Sequence, residues 1–168
     1  MKKTLIFLAL IFILTTGLMM VSMNSADIED VIICSAGTGT HYIPSSVCKY
    51  YLYNFRANKD DIKKLQSHAG LSFVLSMPVY DEKKKLIKYL ISKGIDINQP
   101  SRTDGLTPLH AAILLNMPGM VEFLIDNGAS LTKIDATYKL TPMQFVKLLI
   151  EKKPSVDRSA VIALLKIK

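Results

Sequence analysis

Two segments, DGLTPLHAA at residues 104–112 and VEFLIDNGA at residues 121–129, decide how this chain folds. In the first segment, the hydroxyl of Thr107 can cap a helix, and Pro108 suits the first helical turn, where a missing N–H costs nothing. Leu109, Ala112 and Ile113 then recur at helical spacing and form an apolar stripe. The first segment therefore predicts a short helix that begins at Pro108 and packs through this stripe.

The second segment predicts another helix and the turn that ends it. This helix runs from about Met120 to Asp126, and Gly128 ends it, because glycine readily adopts the left-handed conformation of a helix C-cap. The same marks recur at one fixed interval, with Thr-Pro at 107–108 and again at 141–142, and Gly at 94 and again at 128. Four apolar positions repeat at the same interval, Ile87, Leu90, Ile91 and Ile97 matching Val121, Leu124, Ile125 and Leu131. This period predicts a repeat protein whose stacked helix pairs bury each other's apolar faces.

The segments 104–112 and 121–129 together resemble an ankyrin repeat, since they contain its Thr-Pro-Leu-His signature. The resemblance implies an all-α ankyrin-repeat solenoid of about four stacked helix pairs with turn fingers. It also implies that His110 forms hydrogen bonds between neighbouring turns, while Thr107, Pro108 and Gly128 have structural roles. The expected ankyrin-repeat domain covers residues 45–168, in units of about 45–70, 71–102, 103–135 and 136–168. Leu65 lies closer in sequence to Leu90 than Leu90 does to Leu124, so the first finger is expected to be deleted.

The N-terminus is richer in apolar residues than the rest of the chain, with 17 among its first 26 residues against 49% over all 168. Met1, Lys2 and Lys3 form a cationic start before an apolar stretch from Leu5 to Met23. This pattern is typical of a secretory signal peptide over residues 1–26, and the alternative is an uncleaved membrane anchor. Both interpretations predict that the rest of the chain leaves the cytosol and lies in the periplasm or beyond it. With a net charge of +7, the remaining composition excludes a polytopic membrane protein and a wholly disordered chain.

The two cysteines, Cys34 and Cys48, flank the end of an N-terminal extension over residues 27–44. An even pair in an exported protein favours a disulfide bond. The alternative is a metal site that uses Cys34, His41 and Cys48, although single ligands without a second cluster do not match the usual spacings. We therefore expect a disulfide and no metal.

Other candidate sites have simpler explanations. The glycine-rich segment 35–40 lacks the following Lys of a phosphate-binding loop, and His68 has no second ligand at helical spacing. Lysines at 83–85 and 152–153 are expected on solvated helix faces, with no nucleic-acid motif nearby. The aromatic residues of 50–55, which are Tyr50, Tyr51, Tyr53 and Phe55, either pack in the core or form an interface. No arrangement of a nucleophile, a base or paired carboxylates stands out, so we expect no enzyme and no cofactor.

The resemblance implies that the fingers and the exposed side of the first helices hold another protein. By position, nine residues are expected to contact it: Arg102, Thr103, Asp104, Leu114, Leu115, Ile134, Thr137, Tyr138 and Lys139. For Leu114 and Leu115, packing against the neighbouring repeat is the alternative.

The leader and the short stack resemble exported bacterial ankyrin-repeat immunity proteins, which are encoded beside toxins such as phospholipase effectors of the type VI secretion system. This resemblance implies a periplasmic protein that binds such a toxin and occludes its active site. The alternatives are a periplasmic or membrane-anchored scaffold that supports an envelope enzyme, and a secreted effector that binds host proteins. In each case the partner is a protein, and the membrane is contacted only through an uncleaved N-terminal segment.

Overall fold

The computed structural model describes residues 2–38, 42–78 and 80–167, and these contain α-helices and no strand. The chain divides into two compact units, 1–56 and 57–168. The predicted first helix pair, 45–70, is thus shared between the two units. His41, with two residues of the glycine-rich segment, Gly39 and Thr40, lies outside the described residues.

The first unit begins with α1, Lys2–Ser25. Its segment Thr4–Ser25 has a mean hydropathy of 2.5 over its most apolar stretch, and among the described helices it is the one long and apolar enough to cross a membrane. The C-terminal end of α1 is fastened to the rest of this unit by the buried guanidinium of Arg56. Arg56 donates from Nη1 to the carbonyl of Met23 at 2.8 Å and from Nη2 to that of Ala26 at 3.0 Å.

Two further helices, α2 at Ile28–Ser35 and α3 at Ser45–Phe55, complete the first unit by packing against each other. Both bury side chains at helical spacing, Ile28, Val31 and Ile32 on α2 and Cys48, Tyr51 and Leu52 on α3. The described part of the glycine-rich segment ends α2, since the amide of Gly37 donates to Cys34 O at 3.0 Å. The segment therefore serves as a helix-ending turn.

The predicted disulfide is present between Cys34 at the end of α2 and Cys48 in α3, with their Cα atoms 5.7 Å apart. Both cysteines are buried. The alternative metal site would also use His41, which lies outside the described residues.

We predict that the Cys34→Ser/Cys48→Ser double variant lowers the free energy of unfolding by about 3 kcal/mol, the loop-entropy value for a crosslink of this length. Thermal unfolding followed by circular dichroism, with and without dithiothreitol, measures this change. The reductant should destabilise the wild-type chain and leave the double variant unchanged. A wild-type midpoint that the reductant does not move would contradict the prediction.

The second unit contains seven described helices. They are α4 Lys59–Ser67, α5 Leu71–Ser76, α6 Tyr80–Ser92, α7 Pro108–Leu114, α8 Pro118–Asp126, α9 Pro142–Lys152 and α10 Ser159–Ile167. Side chains cap three of them, including the predicted cap at Thr107. Asn58 accepts from two amides at the start of α4, Thr107 from the His110 amide, and Thr141 forms a capping box with Gln144.

Helices of the second unit pack as stacked pairs. The pairs are α5 with α6, α7 with α8, and α9 with α10, and the first helices α5, α7 and α9 also contact one another in that order. The second helices α8 and α10 contact each other in the same way. The small residues of α7 allow this close approach, and Ala112 and Ile113 have no exposed surface.

Two fingers of equal length, 93–107 and 127–141, separate the helix pairs, whereas only the short stretch 68–70 connects α4 to α5. The expected deletion of the first finger is therefore present. The spacing of the leucines understates how much shorter this connection is than a full finger. The reason is that α6 is longer than its counterpart α8, and its extra residues lie between Leu65 and Leu90. Each finger closes on itself, with Ser101 N donating to Leu106 O at 2.8 Å and Asp135 N to Leu140 O at 3.1 Å.

Backbone hydrogen bonds join each finger to the loop before it. Ala136 N donates to Gly105 O at 2.7 Å, and Arg102 N, at the equivalent position of the preceding finger, donates to His68 O at 2.8 Å. The short connection thus keeps the backbone bond of a full finger. Gly105 has φ +72°, and a Cβ at this position would collide with Thr137 Oγ1 and lie 3.0 Å from Thr137 N. Both its backbone conformation and the close approach of the next finger require glycine.

We predict that Gly105→Ala destabilises the chain more than Gly128→Ala does. Both glycines have positive φ, +72° and +98°, but nothing lies within 4 Å of a Cβ at Gly128. The backbone strain alone costs about 1–2 kcal/mol, and at Gly105 the collision also displaces the Thr137 hydroxyl bond, worth about 1 kcal/mol more. Urea unfolding of both variants measures the difference. Equal losses of unfolding free energy in the two variants would contradict a costly collision between residue 105 and Thr137.

Candidate functional site

The buried imidazole of His110 connects α7 to the second finger. It has no exposed surface, and its Nε2 lies 3.0 Å from Leu140 O, while Nδ1 lies 2.6 Å from Thr107 Oγ1. Because a carbonyl only accepts, Nε2 carries the proton and Nδ1 accepts from the Thr107 hydroxyl. His110 therefore forms the hydrogen bond between neighbouring turns that the resemblance implies.

A buried carboxylate, Asp135, organises the same finger. Its Oδ1 accepts from the amides of Thr137 at 2.8 Å and Tyr138 at 2.5 Å, and its Oδ2 accepts from Leu140 N at 3.0 Å. Burial acts to raise the pKa of Asp135, but these three amides together outweigh it and hold that pKa below its ordinary value. The Asp135 carboxylate therefore stays ionised and fixes the shape of the finger.

Burial lowers the pKa of His110 below its ordinary value of 6.5, although the bond to Leu140 O and the nearby Asp135 charge act in the opposite direction. Its Nε2 lies 4.0 Å from Asp135 Oδ2. The neutral imidazole is thus the form that the folded chain favours. Both groups are buried, and their hydrogen bonds order the second finger.

Most of the predicted partner-binding residues of the fingers are exposed. Arg102, Thr103 and Lys139 are exposed polar residues, and Ile134 and Tyr138 are apolar residues with 51% and 46% of their surface exposed. Tyr138 is supported from beneath by Phe145, with ring centroids 5.3 Å apart, and Lys152 Nζ lies 5.7 Å from its ring. The finger ends therefore present an aromatic and an aliphatic side chain among cations.

Asp104 and Thr137 have structural contacts between the two fingers. The Thr137 hydroxyl donates to Asp104 O at 2.6 Å, and the Asp104 carboxylate accepts from Leu106 N at 3.0 Å. These side chains are exposed, but their hydrogen-bonding groups are used within the protein. Their contact with a partner stays a prediction.

Leu114 and Leu115 lie at the opposite end of α7 from the fingers, and they are 43% and 48% exposed. The carbonyl of Leu114 accepts from Arg158 Nη2 at 3.3 Å, while the N-terminal end of α7 contacts the finger through His110. A helix of this length separates its ends by about 10 Å. The two leucines and the finger ends are therefore two exposed patches on the same unit.

Three buried polar residues have roles that sequence reasoning missed. Arg158 donates to the carbonyls of Ile113 and Leu114 and so caps the C-terminal end of α7. Asp135 orders the finger through the amide bonds described above. Lys83, expected on a solvated face, is instead buried and donates to Leu75 O at 2.7 Å. Lys83 belongs to α6, but its ammonium group lies at the C-terminal end of α5, where a cation stabilises the helix. Burial also lowers the pKa of Lys83.

One sequence signal could have found Asp135. Ser101 occupies the equivalent position in the preceding finger, and its Oγ accepts from the amides of Thr103 at 3.1 Å and Asp104 at 3.4 Å. Both fingers thus have a polar acceptor at the same position. The repeat period alone would have aligned Ser101 with Asp135. Arg158 and Lys83 have no such periodic signal.

In the first unit, the aromatic residues of α3 divide between core and surface. Tyr51 is buried and stacks on Phe55 with centroids 5.4 Å apart, whereas Tyr50 and Phe55 are 64% and 53% exposed. Among the described residues, no group of three His, Cys, Asp or Glu side chains could hold a metal ion. The geometry presents surfaces for binding another molecule.

Comparison with known proteins identifies the class. The family model for ankyrin repeats, with three copies, matches residues 32–135, so this chain belongs to the ankyrin-repeat family. The predicted all-α ankyrin-repeat fold is confirmed. The family match begins inside the segment 27–44, which we expected to lie outside the repeats. The helix pair α9–α10 follows the last matched residue and stacks on the repeats before it.

Relatives that are similar to this chain also carry ankyrin repeats. A fowlpox virus ankyrin repeat protein is 32% identical over 71 residues, covering 42% of this chain, and another is 42% identical over 53 residues, covering 31%. Ankyrin repeat and SOCS box protein 6 of Mus musculus is 30% identical over 69 residues, covering 41% of this chain. The matched segment spans only 16% of each of these relatives. No solved structure matches the chain.

We predict that the free energy of unfolding decreases as the pH falls from 7.5 through about 6.5 toward 5. The folded chain favours neutral His110, so its contribution is complete above the ordinary pKa and is lost as the unfolded chain gains a proton. The His110→Gln variant should show a flatter dependence, and Gln also stands at the equivalent position 144. Denaturant unfolding at each pH measures both slopes. The lowered pKa of Asp135 affects stability only at lower pH, so identical slopes would contradict this role of His110.

Proposed function

We propose that this chain is a protein-binding module whose partner contacts the finger ends of the second unit. Ankyrin repeats generally bind other proteins, and this family does so without catalysing a reaction. The observation that carries the proposal is that Ile134 and Tyr138 are exposed on a finger that the Asp135 bonds order, with Lys152 beside the Tyr138 ring. Aromatic and cationic side chains of this kind are enriched at protein interfaces. Leu114 and Leu115 form a second exposed patch at the other end of α7, which is a further proposed contact with the partner.

The proposed location is the periplasm. Two observations support export, namely the apolar helix α1, which follows a cationic start, and the buried disulfide between Cys34 and Cys48. Disulfides persist in oxidising compartments and are rare in the cytosol. The segment 1–26 then serves as a signal peptide or as an anchor.

The proposed partner is a secreted toxin, such as a phospholipase effector of a type VI secretion system, and the proposed role is immunity. A rigid, exported binding surface without catalytic groups of its own suits inhibition by steric occlusion of the toxin's active site. The net charge is +7 for the whole chain and +5 once Lys2 and Lys3 are removed with a cleaved leader (7 − 2), and this excess of cations supports association with an acidic partner.

The experiment for immunity is deletion of the gene, followed by challenge with a sibling strain that produces the toxin. We predict that deletion lowers survival and that the wild-type gene restores it. The Ile134→Asp variant should restore it poorly, because a charge buried at an interface weakens binding about tenfold or more. Ser155→Asp, at another exposed position on the α9–α10 loop, is the matched control and should restore survival fully. Equal survival with and without the gene would refute the immunity role.

A second candidate is a membrane-anchored scaffold that supports an envelope enzyme. The bonds from Arg56 to the carbonyls at the end of α1 favour it, because they join an uncleaved helix to the folded part of its unit. Retention of α1 in the mature chain, measured by intact mass, together with an envelope defect in the absence of any toxin, would favour this function over immunity.

A further inference from the structure

A basic cleft of about 540 Å³ lies beside α4 in the second unit. Four of the residues that line it are cations, Lys59 and Lys63 from α4, and Lys93 and Arg102 from the finger 93–107. None of the lining residues is a carboxylate. The cleft is therefore strongly positive, and the role of the finger ends does not account for it.

One wall of the basic cleft is a single face of α4. Lys59, Ile62, Lys63 and Gln66 recur at helical spacing along it, and Ile62 is buried at its base. Lys59 and Lys63 are four residues apart, an arrangement in which like charges repel and destabilise a helix by a few tenths of a kcal/mol. A negatively charged ligand on this face would relieve that repulsion.

The opposite wall is fixed to α4 by hydrogen bonds. Gln66 Nε2 donates to Gln99 Oε1 at 2.6 Å, and Gln99 Nε2 donates to Gln66 O at 3.2 Å. Arg102 N donates to His68 O at 2.8 Å just after α4 ends. Lys93 Nζ is placed over the Tyr89 ring, 5.3 Å from its centroid. These bonds fix the two walls relative to each other and position the Lys93 ammonium group, which lowers the entropic cost of binding.

The cleft follows from the short connection 68–70. On its other side, the finger 93–107 is covered by the finger 127–141, because Asn98 donates to Gly128 O at 3.1 Å and accepts from Ser130 N at 2.7 Å. On the side of α4 the connection is too short to form a finger. The side chains of Gln99 and Arg102 therefore line open space where a preceding finger would otherwise lie.

No carboxylate lines the cleft beside its four cations. The side chains of Lys59, Lys63, Lys93 and Arg102 are all exposed. Cations spread over two walls match several carboxylates along an extended chain better than one compact anion, which needs donors that converge on a point.

We propose that the basic cleft binds an extended acidic segment of the protein partner, which occupies the place of the missing finger. This inference rests on the proposed protein-binding function and names the chemistry of one part of that partner. Carboxylates of the segment would pair with the cations of both walls, and its backbone would lie beside the amides of Gln66 and Gln99.

The test is fluorescence anisotropy of a labelled oligoglutamate peptide titrated with the full chain in a nonionic detergent. We expect saturable binding that weakens as the salt concentration rises, and no binding of an oligoglutamine peptide. The Lys59→Gln/Lys63→Gln variant should bind at least about fivefold more weakly. The matched control, Lys147→Gln/Lys166→Gln, removes the same charge from exposed positions on α9 and α10 and should change the affinity less than about twofold. Circular dichroism of both variants confirms that they fold.

Three outcomes would overturn the proposal. These are no saturable binding by the wild-type chain, equal losses in the two double variants, and displacement of the peptide by inorganic phosphate alone. The second would mean that only net charge matters, and the third would mark a general anion site. Peptide binding together with unchanged survival of the deletion strain would refute immunity alone, whereas reduced survival without peptide binding would refute the cleft alone.

Discussion

The hydrogen bond from the buried imidazole of His110 to Leu140 O sets the register of the stack. It joins the start of α7 to the base of the second finger at 3.0 Å, and the Thr107 hydroxyl holds the other ring nitrogen. Because the imidazole has no exposed surface, water cannot replace either bond, and losing one would leave a buried polar group without a partner. This contact joins α7 to the finger that precedes α9, while Asp135 fixes the shape of that finger.

The fingers repeat a backbone arrangement with different side chains. An acceptor at the finger base orders the amides that follow it, and this acceptor is the hydroxyl of Ser101 in one finger and the carboxylate of Asp135 in the next. A glycine with positive φ allows close approach of the next finger at Gly105. The short connection 68–70 keeps the backbone bond to Arg102 but not the finger itself. The stack thus stays in register while one side of its first full finger is open, which creates the basic cleft.

Much of the fold could be predicted from local chemistry. Thr107, Pro108 and Gly128 act within a few residues of themselves, so their helix cap, first turn and C-cap can be read without a tertiary model. The candidate site was less predictable. Leu114 and the finger end Tyr138 belong to one expected surface, yet they lie at opposite ends of α7. Asp104 and Thr137 are exposed, but hydrogen bonds within and between the fingers already use their polar groups.

The sequence by itself determined the repeat period, the helix pairs from residue 71 onward, the missing finger and the cysteine pair, because each depends on residue types at fixed spacing along the chain. Only the tertiary structure decided which polar residues are buried, since a buried charge is stable only where another segment supplies its partner. Arg158 is buried because the carbonyls at the end of α7 accept its hydrogen bonds. The cations around the cleft become one surface only when α4 and the finger 93–107 are brought together.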